Sequence, residues 1–123
     1  MADEIKFLCN VDITNGPLKW KFNPGQQTID QTTTVTRTGG VIQVSTTAEA
    51  IGLGDVTSPG LSVFQNLDPA NYVLLGTHST AGFSAFARID AGESYIIKLT
   101  SGSSYQAEAD TSPIQMSYDI FGR

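Results

Sequence analysis

Apolar and polar positions alternate along most of this chain with a period of two, and the apolar ones are densest at residues 60–76, GLSVFQNLDPANYVLLG. Leu61, Val63, Phe64 and Leu67 form one apolar run there, and Tyr72, Val73, Leu74 and Leu75 form a second. Between them lies Asp68-Pro69-Ala70-Asn71. Pro69 has the φ that suits the second position of a type I turn, and the Asp68 carboxylate can accept from the turn's own backbone. Both runs are short and rich in β-branched and aromatic residues, so they predict two buried antiparallel strands joined by a tight turn. The core expected around this hairpin consists of Leu61, Val63, Phe64, Leu67, Val73, Leu75, Ile96, Ile97, Ile114 and Tyr118.

The same alternation predicts strands on either side. Ile5, Phe7, Cys9, Val11 and Ile13 share one face of a strand within residues 4–14, and Lys6, Asn10 and Asp12 the other. Asn15-Gly16-Pro17 ends it, because Asn-Gly favours positive φ and proline cannot continue a ladder. A strand over 18–22 sorts Leu18, Trp20 and Phe22 from Lys19 and Lys21, and Asn23-Pro24-Gly25 turns the chain again. Residues 26–38, QQTIDQTTTVTRT, keep only Ile29 and Val35 as large apolar side chains. That polarity predicts a Thr-rich arm or edge strand over 26–40, the end being a Gly39-Gly40 hinge. Thr46 and Glu49 have capping-box spacing, but Gly52 and Gly54 follow so soon that one helical turn at most is expected. Further strands are expected at 41–45, 83–89, 94–100, 105–109 and 114–121. With about eight to ten short strands and turn signals roughly every 8–12 residues, the pattern is all-β. It predicts an antiparallel β-sandwich of jelly-roll-like form, or a small barrel, as a single domain over residues 1–123.

Composition narrows the function more than the fold. The chain has 123 residues, of which 40% are hydrophobic, enough for a packed core. Twelve acidic against seven basic residues give a net charge of −5, and the pI is near 4.5, which argues against a surface built to hold a phosphate backbone. No apolar run approaches the roughly 20 residues that span a bilayer, and MADEIKF does not read as a signal peptide. The single cysteine allows no internal disulfide, which suits a reducing compartment.

No catalytic constellation emerges. His78 is the one histidine and sits in a Gly/Ser/Thr loop, where it reads as solvated. Cys9 lies on the apolar side of its strand and reads as buried and structural. Glu108 and Asp110 point to one side of a strand with Asp119 expected beside them; the most they offer is a weak Ca²⁺ site. Asp90 and Glu93 read as turn solvation, and Gly52-Leu53-Gly54 as a turn, since it lacks the remaining glycine and the lysine of a phosphate loop. Lys19 and Lys21 flanking Trp20 can stack a base, but the acidic balance opposes nucleic-acid binding. No catalytic, cofactor or metal residues are assigned, and the chain is expected not to be an enzyme.

Several segments nevertheless form a recognisable set: residues 51–76, IGLGDVTSPGLSVFQNLDPANYVLLG; residues 86–99, FARIDAGESYIIKL; and residues 105–120, YQAEADTSPIQMSYDI. With the opening MADEIKF and Phe22-Asn23-Pro24-Gly25, they resemble a family of small structural proteins encoded by tailed bacteriophages. The resemblance covers most of the chain and implies a catalytically silent virion component, assembled in the bacterial host cytoplasm. The expected function is that of a capsid decoration, or cement, protein whose partner is the major capsid protein, with no nucleic-acid or membrane partner. A minor tail or head–tail connector protein is the alternative within the virion. From another class, a carbohydrate-binding module would use Trp20, Tyr72, Tyr95, Tyr105 and Tyr118 as a sugar-stacking face. A homotrimer is expected, from the three-fold positions of icosahedral lattices and from surplus apolar surface at Tyr105, Met116, Tyr118 and Phe121.

Overall fold

In the computed structural model, which describes residues 5–29, 37–54 and 56–122, every regular element among the described residues is a β-strand. The chain falls into two compact units, Met1–Thr34 and Val35–Arg123, where the hydrophobic pattern alone predicts one domain. Alternation reveals that strands exist but not which strands share a core, so it cannot draw this boundary.

The first unit is a doubly nested antiparallel ribbon. β1 (Ile5–Leu8) pairs with β4 (Gln26–Ile29), and inside that pair β2 (Val11–Asn15) pairs with β3 (Leu18–Phe22). The expected single strand through residues 5–13 is therefore two strands. The break arises because Cys9 and Asn10 face Asn23, Pro24 and Gly25 between the two ladders, an unequal count that includes a residue with no N–H. Gly25 takes φ 79° there, and its N–H donates to Asn23 Oδ1 at 3.3 Å. Cys9, expected to be buried, is exposed at this break. At the far end Gly16 takes φ 56° and Pro17 follows it, the Gly-first arrangement of a primed two-residue turn. Of the expected arm, Gln26–Ile29 is a paired strand of this ribbon, residues 30–36 lie outside the described residues, and 37–40 belong to the second unit.

The second unit is a β-sandwich. Its strands are β5 (Arg37–Val44), β6 (Glu49–Ala50), β7 (Pro59–Asn66), β8 (Val73–Ser79), β9 (Gly82–Ile89), β10 (Ser94–Lys98), β11 (Ser104–Ala109) and β12 (Ile114–Gly122). One antiparallel sheet has the order β10-β7-β12-β5 and the other β6-β11-β8-β9. Each strand of the first half pairs with its counterpart from the second half: β5 with β12, β6 with β11, β7 with β10 and β8 with β9. These nested pairs fall alternately in one sheet and the other, and β12–β7 and β11–β8 ladders complete each sheet. That is the connectivity of a jelly roll. β5, expected in part as an edge strand, does form the edge of its sheet.

The stretch 60–76 is central, but it is not a hairpin. β7 and β8 lie in opposite sheets, and residues 67–72 carry the chain between them. Phe64 of the first apolar run and Val73 and Leu75 of the second are buried because the two sheets face each other across one core. Phe64, Val44, Ile114, Met116 and Ile120 come from one sheet, and Val73, Leu75, Ile89, Ala107 and Ala109 from the other, with Ile51, Val56 and Leu99 from connections. The local chemistry of the turn holds as expected: Asp68 Oδ2 accepts from the N–H groups of Ala70 at 2.9 Å and Asn71 at 2.6 Å. Two of the expected core residues are on the surface instead. Leu67 is exposed on the connection, and Ile96 is exposed because Tyr95 and Ile97 on either side of it turn inward. Val63, opposite Ile96 in the ladder, is half-buried on the same outer face. The Thr46/Glu49 spacing does not produce a helical turn; Glu49–Ala50 is β6, held against Ala107 and Gln106 of β11.

Candidate interaction surface

The β2–β3 ribbon sorts its side chains completely. Residues directly opposite in an antiparallel pair project to the same face. Val11 faces Phe22, Ile13 faces Trp20, and Asn15 faces Leu18, so five large apolar side chains line one side. Asp12 opposite Lys21 and Thr14 opposite Lys19 line the other. The apolar side is uncovered: Leu18 is 55% exposed, Trp20 50%, Phe22 44%, and Val11 and Ile13 38% each. The Trp20 and Phe22 rings, two residues apart on one strand, are stacked with centroids 5.9 Å apart and planes within 6°. They form a flat aromatic plate beside the aliphatic side chains of the opposing strand.

The remaining candidates are dispersed. His78 lies near the end of β8, exposed, between Phe83 and Ser104 in the ladders. It belongs to a strand and not to the loop expected for it, since the β8–β9 turn is only Thr80-Ala81. Glu108 and Asp119 are not neighbours, because β11 and β12 lie in different sheets. Asp119 pairs instead with Arg37, its near neighbour across the β12–β5 ladder. Asp110 lies just beyond β11, its N–H bound to the Tyr72 carbonyl at 3.2 Å. Among the described residues no group of three or more His, Cys, Asp or Glu side chains is placed to hold a metal ion. Asp90 and Glu93 close a turn on each other, with Glu93 Oε1 accepting from the Asp90 N–H at 2.9 Å. Leu53 and Gly54 also form a turn, the Leu53 carbonyl accepting from the Val56 N–H at 2.9 Å while Gly54 takes φ 55°.

The tyrosines of the sandwich do not form an exposed stacking face. Tyr95, Tyr105 and Tyr118 pack against the sandwich core, and the Tyr105 hydroxyl is bound at both the N–H and the carbonyl of Thr100. Tyr72 lies under the Arg88 guanidinium at 3.8 Å, and Asp90 holds that guanidinium from the side at 2.7 Å. The hydrogen bond to Asp90 is also the main cause that raises the Arg88 pKa further above its usual value. Met116 is fully buried and Tyr105 and Tyr118 are half-buried, so the apolar surplus expected near the C-terminus is largely consumed by the core. Val41, Leu67, Phe86 and Ile96 are exposed on the sandwich, while five of the large exposed apolar side chains lie together on the ribbon. The alternation over 11–22 already separates its two faces in the sequence; their exposure is what the structure adds.

A cavity of about 290 Å³ opens between the edge strands β5 and β6, with Ile42, Val44 and Ala107 on its apolar side and Glu49 on its polar side. It is at the small end of ligand sites, and only one ionisable side chain lines it. No protein-family model matches this chain, and no curated protein matches it.

Proposed function

We propose that this chain is a non-enzymatic structural protein of a tailed-bacteriophage virion, a decoration protein that binds the major capsid protein and works as a homotrimer. The observation that supports this reading most is the exposed apolar face of the β2–β3 ribbon. A small β chain that keeps Trp20, Phe22 and Leu18 in water offers a contact element, and soluble proteins rarely retain such patches without a partner. The sandwich behind it suits a particle subunit. Jelly rolls occur in viral capsid domains, although the same fold also serves lectins and enzymes, so the fold supports the reading without carrying it. The sequence resemblance to small phage structural proteins adds to it.

Two measurements test the proposal. A cryo-EM map of the parent particle should show this chain at three-fold positions of the head, against the major capsid protein. Density confined to the tail or the head–tail connector would move the protein to another part of the virion. Cosedimentation of the purified chain with empty capsids should deplete it from solution, and no depletion at micromolar concentration would overturn the decoration role.

A further inference from the structure

We propose that the apolar face of the β2–β3 ribbon is a self-association surface, covered in the working protein by the same faces of the other copies of this chain where they converge on the oligomer axis. The inference rests on the homo-oligomeric part of the reading above and on nothing about the virion. Three observations carry it. First, a two-stranded ribbon is marginal in water unless a further layer covers its apolar side, yet the side chains of Leu18, Trp20 and Phe22 remain about half exposed. Nothing among the described residues of this unit supplies that second layer.

The second observation is the absence of charge on that face. The ladder places Asp12, Lys19 and Lys21 on the opposite side, where Asp12 faces Lys21 within the same ribbon. A partner carrying charged recognition groups would find nothing to pair with here. An identical apolar face would bury no unpaired charge, and both sets of lysines would stay in water. Third, the area fits. Aromatic side chains carry on the order of 150–250 Å² each, so Trp20 and Phe22, at 50% and 44% exposure, leave roughly 140–240 Å² in water between them, to which Val11, Ile13 and Leu18 add. Such faces meeting at the oligomer axis bury several hundred Å², and the surrounding rim takes the contact towards the ~1,000 Å² that a specific protein–protein contact needs. Trp20 and Phe22, already stacked, are the residue types that anchor such contacts.

Trp20 is the chain's single tryptophan, so the native protein reports on its own interface. Light scattering and acrylamide quenching of tryptophan fluorescence are followed together on the full chain through a dilution series. The expected result is an oligomer whose Trp20 is shielded, with mass falling towards 13.1 kDa and quenching rising in step on dilution. The double variant Leu18→Ser/Phe22→Ser keeps the reporter and should dissociate at about 100-fold higher protein concentration than the parent. Lys19→Ser, on the opposite face, should leave the mass unchanged. An oligomer whose Trp20 is quenched as freely as tryptophan in water would overturn the inference while sparing the homo-oligomer. A monomer at all concentrations would overturn both. Trp20 that becomes shielded only when capsids, glycans or lipid vesicles are added would assign the face to that occupant instead.

Discussion

Asn66 shows at the scale of one residue how the crossover between the sheets is fixed. It is fully buried at the end of β7, where the chain leaves one sheet for the other. Its Nδ2 donates to the carbonyls of Asn71 at 2.8 Å and Ile89 at 3.1 Å, and its Oδ1 accepts from the Asp68 N–H at 2.9 Å. Its backbone meanwhile binds Glu93 and Gly92 on the connection between β9 and β10. One amide therefore satisfies both directions of exchange inside the protein. Asn66→Asp replaces the donor with a charge facing two carbonyl oxygens, and urea denaturation should show a loss of about 3 kcal/mol or more. The neighbouring Asp68 carries a pH dependence. The Asn71 N–H and then the Ala70 N–H hold its carboxyl below the ordinary value of 3.8 by binding the ionised form, against a smaller effect of burial. A depressed folded-state pKa means that this contribution is complete above the ordinary value and is lost as pH falls through the folded value. Urea midpoints of the parent should therefore drop more steeply between about pH 4 and pH 2 than those of Asp68→Ala. Equal slopes would show that the turn does not discriminate the ionised carboxylate.

At the scale of elements, period two locates strands well and partners poorly. The strands at 18–22, 83–89, 94–100, 105–109 and 114–121 were legible within a few residues, because alternation marks two faces whatever lies beside them. Pairing was not, since a turn signal looks the same whether the chain returns along its own sheet or crosses to the other. Gly16-Pro17 and Thr80-Ala81 close true hairpins, whereas the equally turn-like Asp68-Pro69-Ala70-Asn71 bridges two sheets. The adjacent residues Ile96 and Ile97 expose the same ambiguity, since only one of them can face the core of a strand. Phe64→Ala should cost about 3–5 kcal/mol, and Ile96→Ala, on the outer face, within about 0.5 kcal/mol of nothing. Chemical denaturation of the two variants tests the assigned faces, and equal losses would reverse the orientation of β10. The candidate surface was half legible for a related reason. The segregation of Leu18, Trp20 and Phe22 from Lys19 and Lys21 is plain in the sequence. Its exposure is not, because an amphipathic ribbon reads alike whether its own core or another molecule covers it.

At the scale of the whole molecule, charge and connectivity decide how copies meet and how each is made. Every copy carries a net charge of −5, so like-charged chains repel as they approach, while the contact proposed between them is apolar. Raising salt from about 0.05 to about 0.5 M screens the first without weakening the second, and light scattering should show association tightening. Association that weakens with salt would point to a contact built on ion pairs. The nested connectivity of the sandwich has a consequence in time. Its innermost pair, β8–β9, closes across two residues, whereas its outermost pair joins Arg37 of β5 to Phe121 of β12. Loop-closure entropy favours a folding order that starts at the Thr80-Ala81 turn and zips outward. β12 arrives last in synthesis, yet it lies between β7 and β5 and supplies Ile114, Met116 and Ile120 to the core. A nascent chain therefore emerges from the ribosome with the centre of one sheet missing and its neighbours' edges open to any other chain nearby. Native closure has to wait until β12 has been made, so a message truncated before residue 114 should yield an aggregating product rather than a smaller folded domain.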